Sequence, residues 1–156
     1  MAKKLVLGVG NLLLTDEGIG IHAIQRILEE KRLGEEGLED DIEIVDGGTA
    51  GLALLYYLEG VERLVIIDAV ETGGPPGTIV RLAGDRIPAY MSLKVSPHEI
   101  TLPDFLAAAR LRDLYPKEVV VWGMQPRSLE VGVELSPDLE ARLDTLIGYV
   151  VNELAC

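Results

Sequence analysis

The sequence has 156 residues, and its net charge of −12 comes from 26 acidic residues against 14 basic ones. A chain of this length with uniform composition is expected to form one domain over residues 1–156, which buries roughly two thirds of its unfolded surface. Because the charge is negative and the sequence has no Lys/Arg cluster, we expect neither nucleic acid nor an anionic membrane surface as a partner.

The single cysteine, Cys156, is the last residue, so one chain can form neither an internal disulfide nor a cysteine metal cluster. The apolar run near the start is short, lacks a small-residue cleavage site and enters a glycine-rich turn, which indicates a core strand. No stretch approaches the roughly 20 apolar residues that a membrane helix needs. We therefore expect a soluble, cytoplasmic protein.

Apolar runs bounded by turn residues predict five strands, and amphipathic patterns predict the helices between and after them. Most of the runs are continuous rather than alternating, as in strands that are covered on both faces. In chain order, the expected elements are strand 4–9, a helix with Ile19, Ala23, Ile24, Ile27 and Leu28 on one face, strand 41–45, a helix with Leu52, Leu55 and Leu58, strands 63–67 and 78–82, a helix with Leu102, Phe105, Leu106 and Ala109, strand 118–124 and a helix over 137–154.

This element order predicts a three-layer α/β fold whose first three strands are parallel. The connection 69–77 has only nine residues, two of them proline, which is too short for a parallel crossover. The fourth strand is therefore expected to be antiparallel and the sheet mixed. The charge-rich segment 29–41 is interpreted as a solvated surface loop.

Glycines follow the first strand in a pattern that suggests a dinucleotide-binding turn. Gly8 and Gly10 fit this pattern, but Leu13 takes the place of the third glycine. Asp46 lies 36 residues beyond Gly10, whereas the fingerprint expects an acid after roughly 20. The alternative is that both glycines only allow a tight turn out of the sheet.

Two acids stand at the start of the first predicted helix. Asp16 fits a helix cap, whose carboxylate accepts orphan backbone N–H groups. Glu17 fits a first-turn acid favoured by the helix dipole, but it also stands at the carboxyl edge of the sheet, where α/β proteins bind ligands. The local pattern by itself favours a structural role for both.

The turn Asp46-Gly47-Gly48-Thr49-Ala50-Gly51 follows the second strand. Its glycines let the backbone approach a ligand closely, and Thr49 can cap the next helix. A purely structural turn explains Gly47, Gly48 and Thr49 but leaves the carboxylate of Asp46 without a role. The two interpretations are equally supported at this stage.

Asp68 ends the third predicted strand. An aspartate in this position commonly accepts hydrogen bonds from loop amides. With Glu17 and Asp46, however, three successive strands each bring an acid to one edge, and clustered carboxylates repel one another unless a cation or protons are present. The three acids together therefore predict a counter-charge.

His98 lies in a long loop that can fold over the same edge, because the helix after it must pack on the sheet. An imidazole with two carboxylates suits divalent ions such as Zn²⁺, Ni²⁺ or Co²⁺ and leaves room for water or a substrate group. The alternative is an ordinary loop histidine, as we interpret His22 within the first helix. Because the sequence has no G-x-S-x-G motif and its cysteine is terminal, any hydrolysis would use activated water.

Five motifs occur in an order that resembles a known family. They are Gly8-Val9-Gly10-Asn11 with Thr15-Asp16-Glu17-Gly18-Ile19-Gly20, then Asp46-Gly47-Gly48-Thr49-Ala50-Gly51, Asp68-Ala69, Ser96-Pro97-His98 and Gly123-Met124-Gln125-Pro126. Together they span nearly the whole chain. In this ordered set the sequence resembles the hydrogenase maturation proteases, endopeptidases that remove a C-terminal extension from the large-subunit precursor of NiFe hydrogenase.

The resemblance implies an α/β/α sandwich with a five-stranded mixed sheet in the order 2-1-3-5-4, in which strand four is antiparallel. It implies metal ligands at Glu17, Asp68 and His98. It also implies a substrate-recognition segment at Gly47, Gly48 and Thr49, next to Asp46.

By the same resemblance, nickel already inserted in the precursor is the recognition signal, so the metal arrives with the substrate. Another divalent ion such as zinc or cadmium could occupy the same ligands. The attacking water would be activated by the metal or by Asp46 as general base. The main alternative is a non-catalytic nickel-binding adaptor or chaperone for the precursor, which would form stable complexes without a truncated product. A dinucleotide-binding oxidoreductase is the third hypothesis, disfavoured by the missing glycine.

Overall fold

The computed structural model describes residues 3–30, 42–48, 51–87 and 102–155. Thr49 and His98 lie outside these ranges, as does most of the predicted surface loop 29–41. The elements in chain order are β1 (Lys3–Val9), a 3-10 turn (Thr15–Gly18), α1 (Ile19–Glu29), β2 (Ile42–Gly48), a 3-10 segment (Gly51–Leu58), β3 (Val61–Ala69), β4 (Ile79–Ala83), a 3-10 turn (Gly84–Arg86), α2 (Leu102–Leu111), β5 (Glu118–Met124), α3 (Pro137–Glu140) and α4 (Leu143–Ala155).

The five strands form one mixed sheet in the order β2-β1-β3-β5-β4. β1 pairs in parallel with β2 and β3, and β3 pairs in parallel with β5. β4 pairs with β5 in the antiparallel direction, as the short connection before it requires. The predicted fold class, including the strand order and the direction of β4, is confirmed.

Two apolar layers cover the two faces of the sheet. Leu5 and Leu7 of β1 pack in the layer that contains the 3-10 segment Gly51–Leu58 and α2. Val6, between them, packs in the opposite layer with α1 and α4. Because successive strand residues point to opposite faces, a strand with helices on both sides must be apolar at every position. This explains the continuous apolar runs and confirms the three-layer arrangement.

Some predicted element boundaries are wrong. The second predicted helix is the 3-10 segment Gly51–Leu58, and the last one is divided into α3 and α4 by residues 141–142. Apolar spacing of three to four residues suits either helix type, so the pattern could not distinguish them. β2 continues to Gly48 and β3 to Ala69, which places Asp46 and Asp68 inside their strands rather than at the final residue.

A buried carboxylate on α4 joins three strands. Glu153 accepts hydrogen bonds from Arg63 of β3 at 2.6 Å, from Arg81 of β4 at 2.6 Å and from the indole N–H of Trp122 on β5 at 3.1 Å. The hydrogen bond from Arg81 is the main reason that the pKa of Glu153 lies below its ordinary value. This network holds α4 against the sheet.

Among the described residues, no helix combines the length and the apolar character needed to cross a membrane. The cytoplasmic location stays a prediction.

Candidate active site at the carboxyl edge of the sheet

The four parallel strands β2, β1, β3 and β5 end at one edge of the sheet. Gly8 of β1 is in register with Asp46 of β2 and with Ile67 of β3, and Asp68 is in register with Gly123 of β5. The acids of β2 and β3 therefore both lie within two residues of this edge, where open α/β sheets bind ligands.

Glu17 lies in the 3-10 turn that follows β1, and it is fully buried. Gly10 explains how the turn comes so close to the strand: its φ is +131°, and a Cβ there would lie 2.0 Å from the carbonyl oxygen of Glu17. The same Cβ would lie 3.7 Å from Oε1 of Glu17. Since the Gly10 N–H donates to the Gly48 carbonyl at 3.0 Å, the Glu17 carboxylate is held where β1 and β2 end.

Asp68 is the second fully buried acid at this edge. Its Oδ1 accepts a hydrogen bond from the Ala69 N–H at 2.8 Å, which is the local bond expected of an aspartate at a strand end. Moving a carboxylate out of water is costly unless hydrogen bonds, protons or a cation compensate the charge. Two buried acids at a ligand-binding edge therefore mark a candidate site.

Asp46 lies apart from this pair. Through Gly8, Asp46 is in register with Ile67, the residue before Asp68. Because side chains alternate along a strand, the two aspartates are directed to opposite faces of the sheet. Asp46 is exposed, whereas Gly47 beside it is buried. Within the described ranges, no three His, Cys, Asp or Glu side chains form a group that could hold a metal. The counter-charge expected for the three acids stays a prediction.

His98 and Thr49 fall outside the described residues, so their predicted roles stay predictions. His22 lies in α1, as expected. Burial lowers the pKa of its imidazole, although a hydrogen bond with the backbone of Val133 and the charge of Glu140 oppose this shift. His22 is a structural helix residue that contacts the loop after β5.

Asp16 is fully buried and is not a helix cap, since neither the 3-10 turn nor α1 has a side-chain cap. Its carboxylate accepts hydrogen bonds from the N–H groups of Arg127 at 2.8 Å and Ser128 at 3.0 Å. Ser136 donates both its N–H and its hydroxyl, each at 2.8 Å. Asp16 thus ties the turn that carries Glu17 to the loop after β5. No local pattern could reveal these partners, which lie more than a hundred residues away in sequence.

Gln125 organises the other side of the edge, a role that its sequence motif did not predict. Its Oε1 accepts from the N–H of Thr72 at 2.6 Å and from the Thr72 hydroxyl at 3.0 Å, and its Nε2 donates to Glu71 at 2.9 Å. Gly123 allows close packing, because a Cβ there would lie 2.5 Å from the Val70 side chain. The Gly123-Met124-Gln125-Pro126 motif therefore holds the segment that follows Asp68.

Comparison with known proteins gives these features a context. Residues 22–153 match the family model described as "Hydrogenase maturation protease". The hydrogenase 2 maturation protease of Escherichia coli strain K12 is 40% identical over 151 residues, which cover 96% of this chain and 89% of that protein. The chain belongs to the hydrogenase maturation protease family. It is accordingly a peptidase that acts in hydrogenase maturation.

Solved structures of family members agree with the fold. The maturating endopeptidase HybD from Escherichia coli superimposes with a TM-score of 0.85 at 37% identity, over 98% of this chain and 92% of that one. The NiFe hydrogenase maturation protease HybD from Thermococcus kodakarensis gives a TM-score of 0.79 at 28% identity, over 97% and 99% of the two chains.

Family membership also removes the oxidoreductase hypothesis. In this maturation protease, Gly8 and Gly20 let the start of α1 pack directly on the strand ends. A Cβ on Gly8 would lie 2.3 Å from the Gly20 carbonyl oxygen, and one on Gly20 would lie 2.2 Å from that of Ile67. The glycines at the end of β1 and after it therefore serve backbone packing and a tight turn, which was the structural alternative to a dinucleotide fingerprint.

Proposed function

We propose that this protease removes the C-terminal extension of the large-subunit precursor of a NiFe hydrogenase, and that nickel already inserted in the precursor identifies the substrate. The observation that carries the proposal is the pair of fully buried carboxylates, Glu17 and Asp68, at the ligand-binding edge of a maturation protease. A cation delivered to that edge would offset the desolvation of both anions.

In this proposal nickel belongs to the substrate. Glu17 and Asp68 supply oxygen ligands, and His98 supplies an imidazole nitrogen from outside the described residues. This mixed donor set suits borderline divalent ions, zinc and cadmium included, and three protein ligands leave positions for groups of the precursor. The protease would thus recognise a loaded precursor by completing the coordination of its nickel, which places the scissile peptide next to the sheet edge.

Hydrolysis then needs an activated water, and Asp46 is our candidate for the base. Its exposed position on β2 makes its carboxylate accessible to water, unlike the buried pair. The carboxylate would accept a proton as the water oxygen bonds to the peptide carbonyl carbon, and it would return that proton to the leaving nitrogen as the C–N bond breaks. Gly47 and Gly48 would let the extended peptide approach the backbone beside this base, with Thr49 completing the segment.

The test compares nickel-loaded and nickel-free precursor, with mass spectrometry of the products. We expect truncation of the loaded precursor only, and its loss in Glu17→Gln and Asp68→Asn. Glu62→Gln is a matched control, because Glu62 is an exposed acid on the same strand as Asp68. Equal cleavage of both precursors would overturn nickel recognition, and full activity of the two site variants would overturn the ligand assignment.

The adaptor hypothesis predicts a different result in the same experiment. It expects a stable complex with the nickel-loaded precursor and no truncated product at any time. Family membership favours the peptidase.

A further inference from the structure

Exposed apolar side chains concentrate next to the candidate site. Nine large apolar side chains are exposed in the described part of the chain, and four of them belong to two adjacent segments. We call these four the apolar ridge: Leu13 (61% exposed), Leu129 (37%), Val131 (88%) and Val133 (58%). Single exposed apolar residues are ordinary, but a contiguous set commonly marks a binding surface.

Backbone pairing makes the ridge one surface. Leu14 and Gly132 form a parallel bridge, in which the Gly132 N–H donates to the Leu13 carbonyl at 2.9 Å. The Thr15 N–H donates back to the Gly132 carbonyl, also at 2.9 Å. Leu13 and Val131 each precede the bridge by one residue, and Val133 follows it by one residue, so the pairing brings these three exposed side chains into one region.

Hydrogen bonds from the neighbouring turn hold the ridge in place. Three of the four ridge residues lie in the loop 127–136. The Asp16 carboxylate fixes both ends of this loop, through Arg127 and Ser128 at one end and Ser136 at the other. The Thr15 hydroxyl donates to the Glu130 carbonyl in the middle of the loop. An ordered apolar surface has less conformational entropy to lose on binding than a mobile one, so it is suited to docking a partner.

The ridge and the candidate site share one turn. The Glu17 N–H donates to the Leu14 carbonyl at 3.1 Å, so the residue that pairs with Gly132 also supports the buried acid. A protein docked on the ridge would therefore lie beside the carboxyl edge of the sheet.

The charge around the ridge indicates the chemistry of the partner. Glu130 and Glu134 are exposed within the same loop, and the chain as a whole carries a net charge of −12. Arg127, the basic side chain of this loop, pairs with Asp138 at 3.0 Å. An acidic border disfavours phosphate-rich partners and favours Lys or Arg side chains around an apolar centre.

We propose that the apolar ridge docks the folded body of the precursor, through a surface that presents apolar side chains bordered by Lys or Arg. This rests on the proposed function, because it takes the hydrogenase precursor as the partner. The ridge would give affinity for the protein, separately from the recognition of nickel by the buried acids.

The experiment uses the double variant Leu13→Ser/Val131→Ser, with Leu111→Ser as the control. Leu111 is as exposed as Val131, at 88%, but it lies at the end of α2 and outside the ridge. Binding of nickel-loaded precursor is measured by titration calorimetry, cleavage is measured in parallel, and thermal unfolding verifies the fold. We expect the Kd and KM of the double variant to rise about tenfold or more with kcat unchanged, and the control to match the parent protein.

Charge reversal gives a second measurement. Glu130→Lys/Glu134→Lys should slow association and reduce its dependence on salt concentration. If the double apolar variant binds precursor as tightly as the control, or if the parent protein binds no precursor at all, the ridge proposal is overturned. Binding by the parent protein without cleavage would instead reject the proposed function, while the comparison of Kd values still decides the role of the ridge.

Discussion

Ser136 donates both its backbone N–H and its hydroxyl to the carboxylate of Asp16, each at 2.8 Å, although the two residues are 120 positions apart in the chain. Glu17, the next residue after Asp16, carries its own carboxylate at the carboxyl edge of the sheet. Asp16 thus anchors the turn, whereas Glu17 is the adjacent acid for which we propose a role as metal ligand.

Asp16→Ala should destabilise the protein strongly. The change removes the acceptor of three backbone N–H groups and one hydroxyl, and each buried polar group left unsatisfied costs about 1–3 kcal/mol. Asp16→Asn keeps one carboxamide oxygen and should fall between Ala and the parent protein. Urea denaturation measures all three free energies of unfolding.

Asp138→Asn is the matched control for this prediction. Asp138 also contacts the loop after β5, but its pairing with Arg127 is solvent-exposed and contributes little. Should Asp16→Ala prove as mild as this control, the anchoring role of Asp16 is wrong.

Gly10→Ala should displace Glu17. The added Cβ would lie 2.0 Å from the Glu17 carbonyl oxygen, at a φ of +131° that side chains rarely adopt. We expect a loss of stability and of precursor cleavage together, measured by denaturation and by product mass.

Gly60→Ala is the control that separates the clash of an added Cβ from the cost of a positive φ. Gly60 also has a positive φ, +78°, but an added Cβ would meet no atom within 4 Å. This variant should lose only about 1–2 kcal/mol and keep its cleavage rate. Equal behaviour of the two variants would contradict the close packing of Gly10 on Glu17.

Glu153→Gln should change how stability depends on pH. In the folded protein the pKa of Glu153 lies below its ordinary value of 4.5, first because of the hydrogen bond from Arg81. The ionised network therefore stabilises the fold above pH 4.5, and this contribution is lost as the pH falls through the lower folded pKa. Gln cannot ionise, so the variant should be less stable by about 1–3 kcal/mol near neutral pH. The difference from the parent should shrink in acid.

Trp122 is a convenient probe for that measurement. It is the single tryptophan in the chain, it donates to Glu153, and its ring stacks on Tyr149 with centroids 5.1 Å apart. Its fluorescence can follow urea unfolding between about pH 3 and about pH 8, a range that includes the ordinary carboxyl pKa values of about 4. A stability difference between variant and parent that stays constant with pH would contradict the charge argument.

Asp46→Asn tests the assignment of the base. If Asp46 accepts the proton from water, its replacement should lower kcat by about 10²- to 10⁴-fold and remove the acidic limb of the pH-rate profile. A rise in KM with kcat intact would instead indicate that Asp46 positions the substrate. Glu43→Gln, a change on the same strand at a residue paired with Lys3, is the control and should leave both parameters unaltered.

The sequence by itself determined that the strands are covered on both faces and that β4 is antiparallel. Continuous apolar runs require strands covered on both faces, and the nine-residue connection 69–77 excludes a parallel β4, because a crossover needs more chain. The strand order came from the family resemblance, since periodicity carries no information about which strands are neighbours. The same resemblance supplied Glu17, Asp68 and His98 as ligands, and that ligand set stays a prediction.

Strand ends and side-chain directions were decided only by the tertiary structure. β2 and β3 extend past the predicted residues, and their register pairs Asp46, through Gly8, with Ile67 rather than with Asp68, so alternation directs the two acids to opposite faces of the sheet. The linear chain shows that both acids lie near an edge, but hydrogen-bond register sets which face each one takes. Of the three acids expected at this edge, Glu17 and Asp68 are buried, whereas Asp46 is exposed.

The roles of Asp16 and Glu17 likewise could not be distinguished from the local sequence. Helix propensity and capping preferences describe both as helix-start acids, because those rules depend on near neighbours alone. The bonds that distinguish them come from Arg127, Ser128 and Ser136, which only the folded chain brings to Asp16. The sequence therefore determined which segment carries the candidate site, and long-range packing decided that Asp16 holds the structure, while the role of Glu17 as a ligand stays a prediction.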